Sequence, residues 1–212
     1  MKTAFQPISE LALLLPAGER IVVGAGEKKV LSFGIDAQAG EKKELLLAID
    51  VFEDSELEVA VFARGAGEIS VHRTVNVLGK GASVVLRCAG IMEGTGRISA
   101  SDDVRSNYEG CKIDLRTKFV LGDSAVSEVR SRITLGHESA GTTASAKIDN
   151  LLLSDTAKAS FIPELDVKCD NVICGHSASC SSLTPASLTY LEGRGIDRDT
   201  AMKLLVHGFL YE

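Results

Sequence analysis

Short runs in which apolar residues fall at every second position follow one another from about residue 20 to residue 182. Ile69, Val71, Val75 and Val77 share one parity, with Arg73 as the exception among them. Val84, Leu86 and Cys88 form the next set. Ile113, Leu115, Phe119 and Leu121 follow, with Thr117 inside the run, and then Val129, Ile133 and Leu135. A spacing of two puts these side chains on one face of an extended strand, so each run buries one face and wets the other. Glycine-containing breaks separate the runs: Gly79-Lys80-Gly81, Gly94-Thr95-Gly96, Gly122-Asp123 and Gly136-His137. The pattern disfavours long amphipathic helices and predicts a mainly β chain. It leaves a sandwich, a barrel and a solenoid open. No strict repeat is visible, which weighs against reading a solenoid from periodicity alone. Aromatic residues make up 5% of the chain, tryptophan is absent, and Ala, Ser and Val abound; small side chains suit narrow, stacked coils.

The last thirty or so residues change character. Thr184-Pro185 reads as a helix start, with Thr184 as the cap and Pro185 in the first turn. Gly193 and Gly195 break that helix, and Asp197 caps a second one. Ala201, Leu204, Leu205 and Phe209 fall at helical spacing, with Gly208 on the same stripe. The expected organisation is a β core over residues 1–182 and a helical segment over residues 183–212.

A formal charge of -6 argues against a broad basic surface for nucleic acid. The run Leu11-Ala12-Leu13-Leu14-Leu15 is too short to span a bilayer, lies between Glu10 and Pro16, and has only Lys2 as a cationic lead. The expectation is a cytoplasmic protein without a membrane segment. Five cysteines, an odd number, fit reduced thiols better than a disulfide framework.

The densest group of ligand-capable side chains is Cys169, Cys174, His176 and Cys180. Their intervals match neither a zinc ribbon nor a zinc finger, and no C-x-x-C pair is present. On an extended strand Cys174, His176 and Cys180 project from one face, with Cys174 and His176 about 7 Å apart. Thiolate and imidazole are donors that iron and iron–sulfur clusters favour. The plain alternative is that the cysteines are small buried hydrophobes and the histidine a core residue. His72 reads as a solvent-facing strand residue, His137 as a turn residue, and His207 lies off the helix stripe. Asp102-Asp103 and Glu53-Asp54 read as loop acids, with no matched acid and base nearby. Phosphate-loop and G-x-S-x-G motifs are absent, so an ATPase or an α/β-hydrolase has no support.

Several short motifs in the C-terminal third occur in one order: Asn150-Leu151-Leu152-Leu153-Ser154-Asp155, Pro163-Glu164-Leu165-Asp166-Val167, Asp170-Asn171-Val172 and Cys174-Gly175-His176-Ser177-Ala178-Ser179. Tyr190-Leu191, Arg194-Gly195-Ile196, Ala201, Leu204-Leu205 and Gly208-Phe209 continue the series. Over about residues 147–212 this resembles the SufB/SufD family of iron–sulfur cluster assembly proteins, whose pattern is roughly N-L-L-L-S-D, P-x-L-E-I, D-D-V, C-S-H-G-A-T and then Y-L-x-x-R-G-I. Upstream the likeness is limited to β character.

The resemblance implies a right-handed parallel β-helix followed by two helices. It implies a dimer joined at the C-terminal ends of the β-helices, with itself or a SufB-like partner. It also implies that the terminal helices bind a SufC-like ABC-type ATPase, here through Ala201, Leu204, Leu205 and Phe209. His176 takes the place of the SufD-type histidine at the dimer interface, with Cys174, and more weakly Cys180, beside a transient iron–sulfur cluster. The SufB-type cysteine falls at about Ala157, which makes the chain SufD-like. Gly175 and Ser177 exchange the family's Ser and Gly, Cys180 is an added thiol, and the chain leaves little room for the family's long N-terminal helical region. The expected function is a non-enzymatic assembly scaffold. A dimerisation module without cluster chemistry and a β-helix carbohydrate-active enzyme are the competing readings. The sugar-enzyme reading needs acidic pairs and aromatic platforms, in which this chain is poor.

Overall fold

A computed structural model describes residues 20–183 and 185–211. The apolar run Leu11–Leu15, the start of the expected β core, and the cap assigned to Thr184 lie outside the described residues. The strands are β1 (Ile21–Val23), β2 (Lys28–Ala37), β3 (Lys42–Val51), β4 (Glu56–Gly65), β5 (Glu68–Val77) and β6 (Ser83–Met92). They continue as β7 (Arg97–Ser106), β8 (Lys112–Leu121), β9 (Val126–Leu135), β10 (Thr143–Leu152), β11 (Lys158–Val167) and β12 (Ile173–Ser182). Two helices follow, α1 (Pro185–Glu192) and α2 (Arg198–Tyr211).

Odd-numbered strands form one six-stranded sheet in the order β1-β3-β5-β7-β9-β11, and even-numbered strands form the other. Every pairing is parallel and in continuous register. Each coil gives one strand to each sheet, then turns a corner and starts the next. The architecture is the parallel β-helix with a two-helix appendage that the resemblance implied. Stacked partners such as Lys28 and Glu56, or Lys112 and Thr143, lie about 30 residues apart. Coil lengths differ because corners differ in length, which is why no strict repeat shows in the sequence.

The alternation read from sequence is the inward face of each coil. Ile69, Val71, Val75 and Val77 of β5 are buried, as are Val84, Leu86 and Cys88 of β6. Each fully buried Val, Leu or Ile contributes about 1.5–3 kcal/mol from area removed from water. Arg73 keeps the inward parity of β5 and is 1% exposed. Its Nε and Nη2 donate to the two carboxylate oxygens of Asp102 at 2.7 and 2.8 Å, and Nη1 donates to the Arg87 carbonyl at 2.8 Å. This corrects the reading of Asp102-Asp103 as loop acids. Both lie within β7; Asp102 faces inward, where a guanidinium one coil away neutralises it, and Asp103 faces outward and pairs with Arg105. Glu53-Asp54 does lie at a corner, with Asp54 in the left-handed region at φ 51°.

Corners bring successive coils into backbone contact. A Cβ at Gly65 would collide with the Ala37 carbonyl, and the residue sits at φ 128°, so only glycine fits. Outside the coils, opposite charges stack from one coil to the next: Arg20 on Asp50 at 2.6 Å and Lys42 on Glu68 at 2.7 Å. His72 is half-buried on the outward parity, and His137 is exposed in the turn after β9.

α1 ends at Glu192, with Gly193 and Gly195 following and Gly195 at φ 83°. Asp197 caps α2 by accepting the Thr200 N–H at 3.0 Å, and hydrogen bonds from the Thr200 side chain first and its N–H second hold the carboxyl below the usual carboxylate range. Leu188 of α1 and Ala201 of α2 are buried. α2 rests on the outer face of β8, where Lys118 Nζ donates to the Phe209 carbonyl at 2.8 Å and lies 5.3 Å from the Phe209 ring centre.

Candidate functional site at the open C-terminal coil

β12 pairs with β10 along one edge, and none of the described strands pairs with its other edge. All ten of its residues are exposed, with Ile173 at 75%. β11, the other strand of this coil, also ends its sheet and is at best half-buried. A long unpaired edge of this kind is a template for another chain.

The register fixes where the chemistry points. Cys174 stacks on Ala144, His176 on Ala146 and Cys180 on Asn150. Ala144, Ala146 and Asn150 are all buried on the inward face of β10. Side chains in a parallel in-register ladder keep their parity, so Cys174, His176 and Cys180 continue those inward rows. They are exposed because this is the last coil. The shared face expected from spacing is therefore present, and it is the face that would become interior if a second surface covered the end.

Cys174 and His176 lie about 7 Å apart along the strand, and Cys180 about 13 Å beyond His176. Among the described residues no group of three or more His, Cys, Asp or Glu side chains converges to hold a metal ion. One chain thus offers a row of donors and no closed cage. Cys169 is half-buried in the segment before β12. No disulfide joins the cysteines; Cys88 and Cys111 are buried while Cys174 and Cys180 are exposed. Burial pushes the Cys88 thiol up to about 12, against a smaller opposing effect from Arg73. A Cβ at Gly175 would meet nothing nearby, so the serine usual at this motif position is sterically permitted. Ala157, at the position expected for a SufB-type thiol, is buried beside the turn that precedes β11.

On the helices, Ala201 is buried, Leu205 and Phe209 are half-buried, and Leu204 is 51% exposed. Tyr190 and Tyr211 are more exposed still, and neither was singled out as a partner-binding residue from sequence. Tyr190 lies on the first helix, outside that stripe, and Tyr211 falls at the very end of the second, seven residues after Leu204. Arg194 lies 5.1 Å from the Tyr190 ring centre, and His207 stacks on Tyr211 at 4.3 Å. Asn150 was read only as part of a motif; its isolation as a polar residue on an inward row is the signal that marks it.

These features define a two-sheet parallel β-helix protein whose ligand-capable side chains line an open edge. The chain belongs to the SufBD core-domain family: the family model described as "SUF system FeS cluster assembly, SufBD core domain" matches residues 46–209. The match begins well upstream of the motifs that carried the resemblance. Over 157 residues the chain is 26% identical to the iron–sulfur cluster assembly protein SufD of Bacillus subtilis, covering 74% of this chain and 36% of that protein. It is 24% identical to SufD of Escherichia coli over 95 residues, 45% of this chain and 22% of that one. A SufBD family protein of Mycobacterium tuberculosis is 30% identical over 94 residues, 44% of this chain and 11% of the relative. The matched region is therefore a minor part of each of these relatives. Among the described residues, no helix is long and apolar enough to cross a membrane.

Proposed function

We propose that this chain is a non-enzymatic scaffold on which an iron–sulfur cluster is assembled as cargo in the cytoplasm. The observation that carries the reading is the exposed inward row Cys174, His176 and Cys180 on an unpaired edge strand. Thiolates and imidazole suit iron, and their exposure lets iron and sulfide arrive. A second copy, or a SufB-like partner, pairs with the free backbone groups of β12 and covers the end. In the self-paired form a two-fold axis doubles Cys174 and His176, completing a donor set that one chain lacks. His176 and Cys174 are the first ligands in this reading, and Cys180 is a flanking one.

A SufC-like ABC-type ATPase is the proposed second partner. Tyr190, Leu204 and Tyr211 supply exposed apolar anchors on the helix pair, while Ala201 is buried. Through Lys118 and Phe209 a movement of α2 bears directly on the sheet that ends in β12. Deleting residues 184–212 is expected to abolish co-purification with the cognate ATPase while the β body stays folded; undiminished capture would contradict this partner assignment.

Anaerobic reconstitution with ferric iron, a thiol reductant and sulfide tests the scaffold role. Wild type should develop visible sulfide-to-iron absorption, and His176→Ala and Cys174→Ala should each take up less iron without losing the dimer. The competing reading, an inert dimerisation module, rests on the same register, since Cys174 and His176 continue core rows. Equal cluster content in wild type and both variants would favour it.

A further inference from the structure

Asn150 is fully buried in β10, and its Oδ1 accepts a hydrogen bond from Ser127 Oγ at 3.1 Å. Its Nδ2 has no hydrogen-bond partner, one of two such buried side-chain atoms among the described residues. An unsatisfied buried donor is costly, so its surroundings indicate what it is meant to meet. In the ladder Asn150 lies between Phe119 of β8 and Cys180 of β12. Phe119 offers at most a ring face. Ser127, across the coil, is flanked by Ile98 and Ala159, which offer no side-chain acceptor. The remaining neighbour in the row is Cys180, whose backbone lies one strand spacing of about 4.8 Å away.

We propose that Asn150 is a positioning residue for sulfur at the open coil, its side-chain amide donating an N–H···S hydrogen bond to Cys180. The thiol is a weak acceptor, and a thiolate bound to a soft metal is a much better one. The bond therefore turns the Cys180 side chain inward and strengthens when that sulfur carries charge. Hydrogen bonds to sulfur are one way a protein tunes a cluster and holds its ligands in place. Cys180 then becomes a supported ligand, while Cys174, which stacks on Ala144, has no such donor beneath it. The proposed hydrogen bond rests on the unpaired Asn150 Nδ2 and its ladder adjacency to Cys180, and forms when the Cys180 side chain turns inward; its role in cluster binding rests on the scaffold reading.

The test begins with ¹⁵N–¹H spectra of the full chain without metal. The Asn150 side-chain amide is assigned by its loss in Asn150→Leu and then followed in Cys180→Ala and Cys174→Ala. Both cysteines are exposed, so these variants keep the fold. The proposal expects one Asn150 amide proton to move upfield in Cys180→Ala and to stay in place in Cys174→Ala. An unchanged signal in Cys180→Ala overturns it. The second arm uses Asn150→Asp, which keeps the acceptor for Ser127 and removes the donor. After iron and sulfide reconstitution its cluster should be lost to a chelator about tenfold faster than that of wild type; equal rates overturn the positioning role. If wild type assembles no cluster at all, the scaffold reading fails, and the amide shift alone decides the hydrogen bond.

Discussion

Replacing Arg73 by methionine should unfold the centre of the coil more effectively than any surface change. The side chains of Arg73 and Asp102 are 0% and 3% exposed, and three hydrogen bonds of 2.7 to 2.8 Å hold the guanidinium. Removing one partner leaves a charge in the apolar interior without compensation. Such a break costs about 3–5 kcal/mol, and this is the expected loss for Arg73→Met or Asp102→Leu alone. The double variant replaces the pair by apolar side chains of similar volume. It should recover most of the loss, since exchanges of this kind are often neutral or stabilising by about 1–4 kcal/mol. Urea unfolding followed by far-ultraviolet circular dichroism, run as a double-mutant cycle, gives the coupling. In a solenoid each coil touches only its neighbours, so the single variants should also broaden the transition. A loss below about 1 kcal/mol in either single variant, or a double variant as unstable as the sum of both, would refute the reasoning.

Thiol accessibility gives a second check. Ellman's reagent at pH 8 should leave Cys88 and Cys111 unreacted in the native protein and titrate all five cysteines in guanidinium, because Cys88 and Cys111 are buried within the coil. Rapid native reaction at Cys88, whose thiol is pushed up to about 12, would show that the coil interior is open. Acid provides a third. The Arg20 hydrogen bond, helped by Asn76, holds the Asp50 carboxyl below its ordinary value despite partial burial. A depressed folded value means that this stabilisation is complete above the unfolded value near pH 4 and fades as pH falls below it. Solvent screening limits the effect to under about 1 kcal/mol, and Arg20→Gln should reduce the acid-dependent slope of stability measured by urea titration between pH 5 and pH 2.

Strands were legible because alternation survives substitution: Ile69 to Val77 and Ile113 to Leu121 lie on inward faces as their spacing required. The choice of parallel stacking was not legible from spacing, since Lys112 pairs with Ser83 and Thr143, far away in sequence and at unequal intervals. The family motifs supplied it instead. Asp102 was misread because two adjacent acids resemble a loop; its signal was Arg73, on the same inward parity one coil earlier. At the site, spacing gave the common face of Cys174, His176 and Cys180. It could not say that this face points into the coil, or that the coil is the last, because both depend on β12 stacking upon β10. The second helix was readable from Asp197 and the glycines before it. The exposure of Tyr190 and Tyr211 depends on how the pair packs and was not.

The central claim is that His176 at the open edge binds iron of the cargo cluster. Pulsed electron paramagnetic resonance on the reconstituted, reduced protein, with histidine labelled by ¹⁵N, addresses it directly. The account predicts a strong nitrogen hyperfine coupling in wild type that disappears in His176→Ala and persists in His72→Ala, His137→Ala and His207→Ala. A cluster signal without histidine nitrogen coupling, or a coupling that survives His176→Ala, would contradict it.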